Sequence, residues 1–159
     1  MKLTIYVEST VPAFYHEART EPEMIARRDW TRQWWDERSA DYQLLTSVAA
    51  LDELGRGDYE GKSEVLEMLE RVPLLPIETP IAEILRAYVL HKVMPKDPLG
   101  DGLHLALASF HKCDVLLTWN SRQLANENKL EQIRRVHNLL GLFLPRIVTP
   151  LELLGGDAA

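Results

Sequence analysis

The sequence predicts an α/β fold built on a parallel sheet, and three observations predict it. Strand-like and helix-like stretches alternate along the chain, the pattern that sets parallel strands side by side through right-handed crossovers. Residues 115–119 are apolar apart from Thr118, as a central strand covered on both faces requires. Ahead of them, residues 103–110 are apolar on nearly every side apart from His104 and Ser109, which marks a buried helix.

Taken in order, residues 3–7 form a short strand rich in β-branched and aromatic side chains. It ends at Glu8, with Ser9, Thr10 and Pro12 following. By itself Glu8-Ser9-Thr10 is either a turn with a helix cap or a carboxylate flanked by hydroxyls at a strand exit. Thr20-Glu21-Pro22-Glu23 opens a helix with a Thr cap, Pro in the first turn and acids at the positive end of the dipole. This helix runs to about residue 39. Ala26, Trp30 and Trp34 recur on one face, packed against the core or a partner chain, and Trp35 beside them adds to the case for an interface. Arg19, Arg27, Arg28 and Arg32 are the main basic cluster, either a solvated helix face or a contact for RNA phosphates or an acidic partner.

Residues 42–46 form the second strand. Ser47 caps a helix over 48–54 that stops at Gly55 and Gly57. Glu53 sits near its end, where the dipole disfavours a carboxylate; such an acid is accidental or points at a cation. A helix over 61–71 turns Val65, Leu66 and Leu69 inward, and residues 73–77 form a third short strand. Thr79-Pro80 opens a helix to about residue 93. Asp97-Pro98 starts the buried helix, with Asp97 as its cap and Asp101 in its first turn. Lys112-Cys113-Asp114 is the turn into the central strand, and Asn120 lies just past that strand's end. Ligands of open α/β sheets collect there. Helices over 121–126 and 131–140, a last strand over 146–148 and a closing turn or helix over 150–154 complete a single domain spanning 1–159. Residues 155–159 read as a loose tail.

Composition narrows the function. The chain has 159 residues, 46% hydrophobic and 26% charged, enough for one domain with a real core. A single cysteine, Cys113, excludes an intrachain disulfide framework and suits a reducing cytoplasm. MKLTIYVEST lacks the long apolar stretch of a signal peptide, and no apolar run approaches a membrane span. The net charge of −6 argues against nucleic-acid binding through a basic surface. It leaves room for an enzyme that reaches phosphates through metal ions held by clustered carboxylates.

Four oxygen-bearing residues stand out. Glu8 and Asn120 lie at strand exits, while Glu53 and Asp101 lie on helices that pack on such a sheet. Acids meeting at one edge repel, so the arrangement calls for a divalent cation, and hard oxygen ligands suit Mg²⁺ or Mn²⁺ better than zinc.

With these residues in place the chain resembles the PIN-domain ribonucleases, in particular the VapC-type toxins of bacterial toxin–antitoxin pairs. The resemblance covers nearly the whole chain: IYVESTV at 5–11, SVAALDELGRG at 47–57, DPLGDGLHLALAS at 97–109, VLLTWNSRQLAN at 115–126 and RIVTPLELL at 146–154. It implies a three-layer α/β/α sandwich with a parallel sheet of about five strands. It also implies an endoribonuclease in which Glu8, Glu53, Asp101 and Asn120 form the catalytic set. Glu8, Glu53 and Asp101 would hold Mg²⁺ or Mn²⁺, and Asn120 would be an outer ligand or orient the water. Ser9 and Thr10, with Arg27 and Arg28, would contact the RNA. The implied partners are a cognate antitoxin that inserts a charged residue into the site and a second copy in a homodimer, with helix 20–39 as one such surface. Glu at position 8 departs from the family's usual Asp, and Asn at position 120 removes a charge, so at most one ion is expected to bind firmly. His104 reads as a packed or hydrogen-bonded helix residue and Cys113 as a small buried one. Two other readings remain: a PIN-like domain that has lost catalysis and binds RNA or protein, and a different acid-cluster phosphohydrolase acting on DNA.

Overall fold

Four short strands, β1 (Thr4–Val7), β2 (Gln43–Leu45), β3 (Val115–Leu117) and β4 (Arg146–Val148), make one parallel sheet in the order β2-β1-β3-β4. The computed structural model describes residues 2–94, 100–124 and 126–156. In the centre Ile5 pairs with Val115, Tyr6 with Leu116 and Val7 with Leu117. Successive strand residues point to opposite faces. Tyr6 and Leu116 therefore enter one apolar layer, while Ile5, Val7, Val115 and Leu117 enter the other. All of these are buried, which is why the central strands read as unbroken apolar runs.

Helices α5 (Thr79–Leu90), α6 (Asp101–Phe110) and α8 (Glu127–Leu140) cover the Tyr6 face with Ile81, Ile84, Tyr88, Leu105, Leu107, Ile133 and Val136. The opposite face is covered by α1 (Thr10–Tyr15), α2 (Pro22–Arg38), α3 (Val48–Gly55), α4 (Lys62–Glu70) and α9 (Pro150–Gly156). These contribute Val11, Trp34, Ala50, Leu54, Val65, Leu69 and Leu153. A single turn, α7 (Ser121–Leu124), follows β3. The result is the expected three-layer α/β/α sandwich.

Several elements differ from expectation for physical reasons. Residues 73–77 do not form a strand; they give one β-bridge, Thr46 to Leu74, held by Thr46 N–H to the Pro73 carbonyl (2.9 Å) and Leu75 N–H to the Thr46 carbonyl (2.7 Å). Pro73 and Pro76 have no N–H to extend the ladder, so the sheet has four strands rather than about five. Helix α1 follows the turn at Glu8-Ser9-Thr10 with Ser9 at its cap position, and its Pro12 falls in the first turn, where a missing N–H costs nothing. The cap position of α2 is Glu21 rather than Thr20. Ser47 occupies the cap position of α3, but its Oγ lies 2.7 Å from the Tyr6 hydroxyl instead of capping. Helix α8 starts earlier than position 131 because the Asn126 side chain accepts from Lys129 N–H at 3.0 Å. Helix α9 takes in Gly155 and Gly156, which read as tail. Asp97 and Pro98, the expected helix start, lie outside the described residues, as do residues 157–159.

Cys113 is buried, and burial followed by the nearby Asp114 charge pushes its thiol up to about 11. That makes it a packed side chain rather than a nucleophile. No helix among the described residues is long and apolar enough to cross a membrane.

Candidate metal centre

The chain runs from β1 to β2 on one side and places β3 on the other side of β1. The boundary between β1 and β3 is thus the switch point, where the loops leaving neighbouring strands diverge and open a crevice. Glu8 is the first residue beyond β1, and its N–H donates to the Leu117 carbonyl at 3.1 Å, continuing the ladder. Its carboxylate is buried, 3% exposed. A buried carboxylate must be met by donors. Here Ser9 Oγ donates to Oε2 (3.0 Å), while Thr10 N–H (3.0 Å), Thr118 Oγ1 (2.8 Å) and the Thr10 hydroxyl all donate to Oε1. The two hydroxyls expected to contact RNA, Ser9 and Thr10, are thus engaged by Glu8.

Glu53 reaches the same place from the last turns of α3, and His104 from α6. The buried His104 ring donates through Nε2 to Glu53 Oε1 at 2.6 Å, and its Nδ1 lies 2.6 Å from the Tyr6 hydroxyl. Tyr6 in turn meets Ser47, so a buried chain Ser47–Tyr6–His104–Glu53 fixes the imidazole from behind. Burial alone lowers the His104 pKa, but the hydrogen bond to Glu53 and the charges of Glu8, Glu53 and Asp101 outweigh it and hold it above the ordinary 6.5. Burial likewise raises Glu53, and the His104 hydrogen bond and charge outweigh it, leaving Glu53 below 4.5. Burial, ahead of every other cause, pushes the Tyr6 phenol above its ordinary range.

These shifts predict how pH acts on the metal-free protein. A raised histidine contributes stability that is complete below 6.5 and lost as pH climbs through the folded value. A lowered glutamate contributes stability that is present above 4.5 and lost as pH falls through its folded value. In chelator, the excess stability of wild type over Glu53→Gln is therefore expected to be greatest from about pH 4.5 to 6.5 and to shrink on either side. Thermal melts at several pH values check this; a difference that does not vary with pH would rule out the ion pair.

Glu8, Glu53 and His104 each bring a ligand atom to within 4.8 Å of the others. Two donors bound to one octahedral ion at about 2.1 Å lie roughly 3.0–4.2 Å apart, so the group fits one cation after a small closure. The carboxylates suit Mg²⁺ or Mn²⁺, and the imidazole tilts the set away from Mg²⁺ toward first-row transition ions. The hydrogen-bonded partner behind the ring is what an imidazole ligand uses to fix its orientation.

Asp101 lies outside this group of three. It is the first residue of α6, half-buried, one turn before His104 and close enough for its charge to act on that ring. Asn120, also half-buried, follows β3, with its N–H donating to Thr118 Oγ1 at 2.9 Å. Arg27 pairs with Glu23 (2.7 Å) and lies 5.4 Å from the Trp119 ring centre, whereas Arg28 turns to Asp29 at 3.0 Å. The sequence reading does not place Thr118, Tyr6 or Ser47 at the site. It gives His104 as a packed or hydrogen-bonded helix residue, which the bonds to Glu53 and Tyr6 match without the ring having been placed at the site. A visible signal for His104 was its place one helical turn from Asp101 on an otherwise apolar helix.

No family model matches the chain, and no curated protein matches it. Among solved structures it is similar to the crystal structure of FitAcB from Neisseria gonorrhoeae, with 17% identity and a TM-score of 0.54 over 92% of this chain and 97% of that one. At that identity the likeness shows the fold.

Proposed function

We propose that this protein is a divalent-metal-dependent endoribonuclease of the PIN type and the toxin of a toxin–antitoxin pair. The observation that carries the reading is the meeting of Glu8, Glu53 and His104 at the switch point of a parallel sheet, with Asp101 and Asn120 on the elements beside them. In this reading Glu8 and Glu53, joined by Asp101 from the first turn of α6, hold one Mg²⁺ or Mn²⁺ ion, and the His104 of the observed group stays behind Glu53 rather than on the ion. Ser9, Thr10 and Thr118 fix the Glu8 carboxylate, His104 orients Glu53, and Asn120 positions the water that attacks phosphorus. The ion, when bound, activates water and neutralises charge building on the phosphate. Arg27 and Arg28 lie on the RNA side, a cognate antitoxin silences the site, and the protein works as a cytoplasmic homodimer.

The test is incubation of purified protein with a mixed RNA pool, with and without Mg²⁺ or Mn²⁺, beside Asp101→Ala. Cleavage is expected to need metal and to disappear in the variant. Cleavage that survives Asp101→Ala, or that ignores metal, overturns the assignment.

One observation favours a second reading, a PIN-like binding module without catalysis. Glu8 is met by four neutral donors from its own chain and Glu53 by His104, so both carboxylates have hydrogen-bond partners with no cation. Calorimetric titration with Mn²⁺ separates the two, because the module takes up no metal that depends on Glu8 or Glu53.

A further inference from the structure

Between α2, the β3–α7 connection and α9 lies a cleft of about 640 Å³. Its size falls in the roughly 300–1,000 Å³ range of small-ligand pockets. Trp30 and Trp119 stack along one wall, ring centres 6.3 Å apart and planes within 24°. The Arg27 guanidinium lies over Trp119, and Trp119 is held by its indole N–H to Thr31 Oγ1 (2.9 Å) and its backbone N–H to Thr10 Oγ1 (2.9 Å). Trp119 is buried, while Trp30 remains part-exposed on the cleft wall. Arg122 and Gln123 from α7 line the cleft as well.

We propose that this cleft is a stacking subsite that takes one base of a single-stranded RNA next to the metal centre, a proposal that rests on the nuclease reading above. Four features select that occupant. A rigid pair of indoles offers a flat apolar face, and base–aromatic stacking tolerates any base because every base has a π-face. Arg27 and Arg122 place two guanidinium groups on the lining as donors for a strand's phosphates, with Glu23 sharing the charge of Arg27. The two acids in the lining are already engaged: Glu23 by Arg27 at 2.7 Å, and Glu152 by the Thr149 N–H at 3.1 Å. The Gln123 amide carries the donors and acceptor that contact a base edge.

The cleft and the centre are built from adjacent residues. Thr118 donates to Glu8, and the next residue, Trp119, forms the wall. Thr10 joins them from the other side, donating to Glu8 while accepting from Trp119 N–H. A base stacked in the cleft therefore holds its strand in register with the carboxylates, which converts loose encounter into positioning. A duplex cannot present a base this way without unpairing it, so the subsite favours single strands.

The test measures fluorescence anisotropy of a short labelled single-stranded RNA in chelator, so that binding is read without cleavage. Trp30→Ala is expected to bind roughly 5- to 150-fold more weakly than wild type. Trp30→Phe is expected to keep most of the affinity, and Trp35→Ala to match wild type. Unlabelled single strands are expected to compete better than duplex of the same sequence. Binding by folded Trp30→Ala within twofold of wild type overturns the subsite, as does equal competition by duplex. If Trp30→Ala does not fold, quenching of the wild-type indole emission by added adenosine monophosphate decides: saturable quenching supports the subsite and its absence overturns it. Trp30-dependent binding by a protein that never cleaves overturns the nuclease reading and leaves the subsite standing. Metal-dependent cleavage with Trp30-independent binding overturns the subsite alone.

Discussion

Replacing Glu53 with Gln is expected to lower metal-dependent RNA cleavage by at least the 10–100-fold that follows loss of even an outer-shell metal partner. The change conserves shape, and the Gln carbonyl can still accept from His104 Nε2. What it removes is the negative charge. Glu53 is the partner that keeps the His104 pKa high despite burial, and its own carboxylate stays ionised because of that ring. A cation entering the group competes with the proton His104 donates to Glu53. In the variant it meets one carboxylate fewer and an imidazole with less reason to stay in place. Half-buried Glu53 is partly solvated, so the fold is expected to survive while activity falls. Initial cleavage rates across a range of Mn²⁺ concentrations, with melting curves beside them, check this. Rates equal to wild type at every concentration would remove Glu53 from the site.

The second large effect concerns stability. Trp34→Ala is expected to cost about 3–5 kcal/mol. That is a large part of the ~5–15 kcal/mol that holds a domain together. Trp34 sits on α2 with none of its surface exposed, in the layer that also holds Ile5, Val7 and Val115. It meets Trp35 edge-on at 6.1 Å and Tyr42 at 5.8 Å. These ring contacts add to the area it buries. Its indole N–H is buried with no acceptor among the described residues. Trp34→Phe, which removes that unpaired donor, is therefore expected to cost clearly less than Trp34→Ala. Denaturant unfolding of the two variants measures the difference; equal midpoints would mean that α2 is not anchored by this ring.

Most of the architecture was legible because its cause is local. The runs 5–7 and 115–117 are apolar because two helical layers cover them, and a continuous apolar run reports that directly. Pro73 and Pro76 carried the warning against a strand over 73–77, because neither has an N–H to give to a ladder. Helix α8 was entered late because Asn126 acts through a side-chain bond to Lys129 rather than through apolar spacing. In the sequence Glu8 stands out as a carboxylate flanked by hydroxyls at a strand exit, and Glu53 as an acid where the helix dipole disfavours one. His104 was read as a packed or hydrogen-bonded helix residue, but its partner could not be named, since Glu53 stands 51 positions away. Thr118 was hidden inside an apolar segment, where its hydroxyl had no visible purpose until Glu8 was placed beside it.

The proline-bounded edges of the sheet have a consequence for how the protein behaves when crowded. On one flank β2 offers three residues before Thr46 is taken up by Leu74 between Pro73 and Pro76. On the other, β4 offers three residues between Pro145 and Pro150. An exposed strand edge is a template for pairing with another chain, and shortness and proline are what deny it. With both flanks cut to three residues, neighbouring molecules find only a short ladder to extend, and the geometry disfavours edge-to-edge pairing at high concentration.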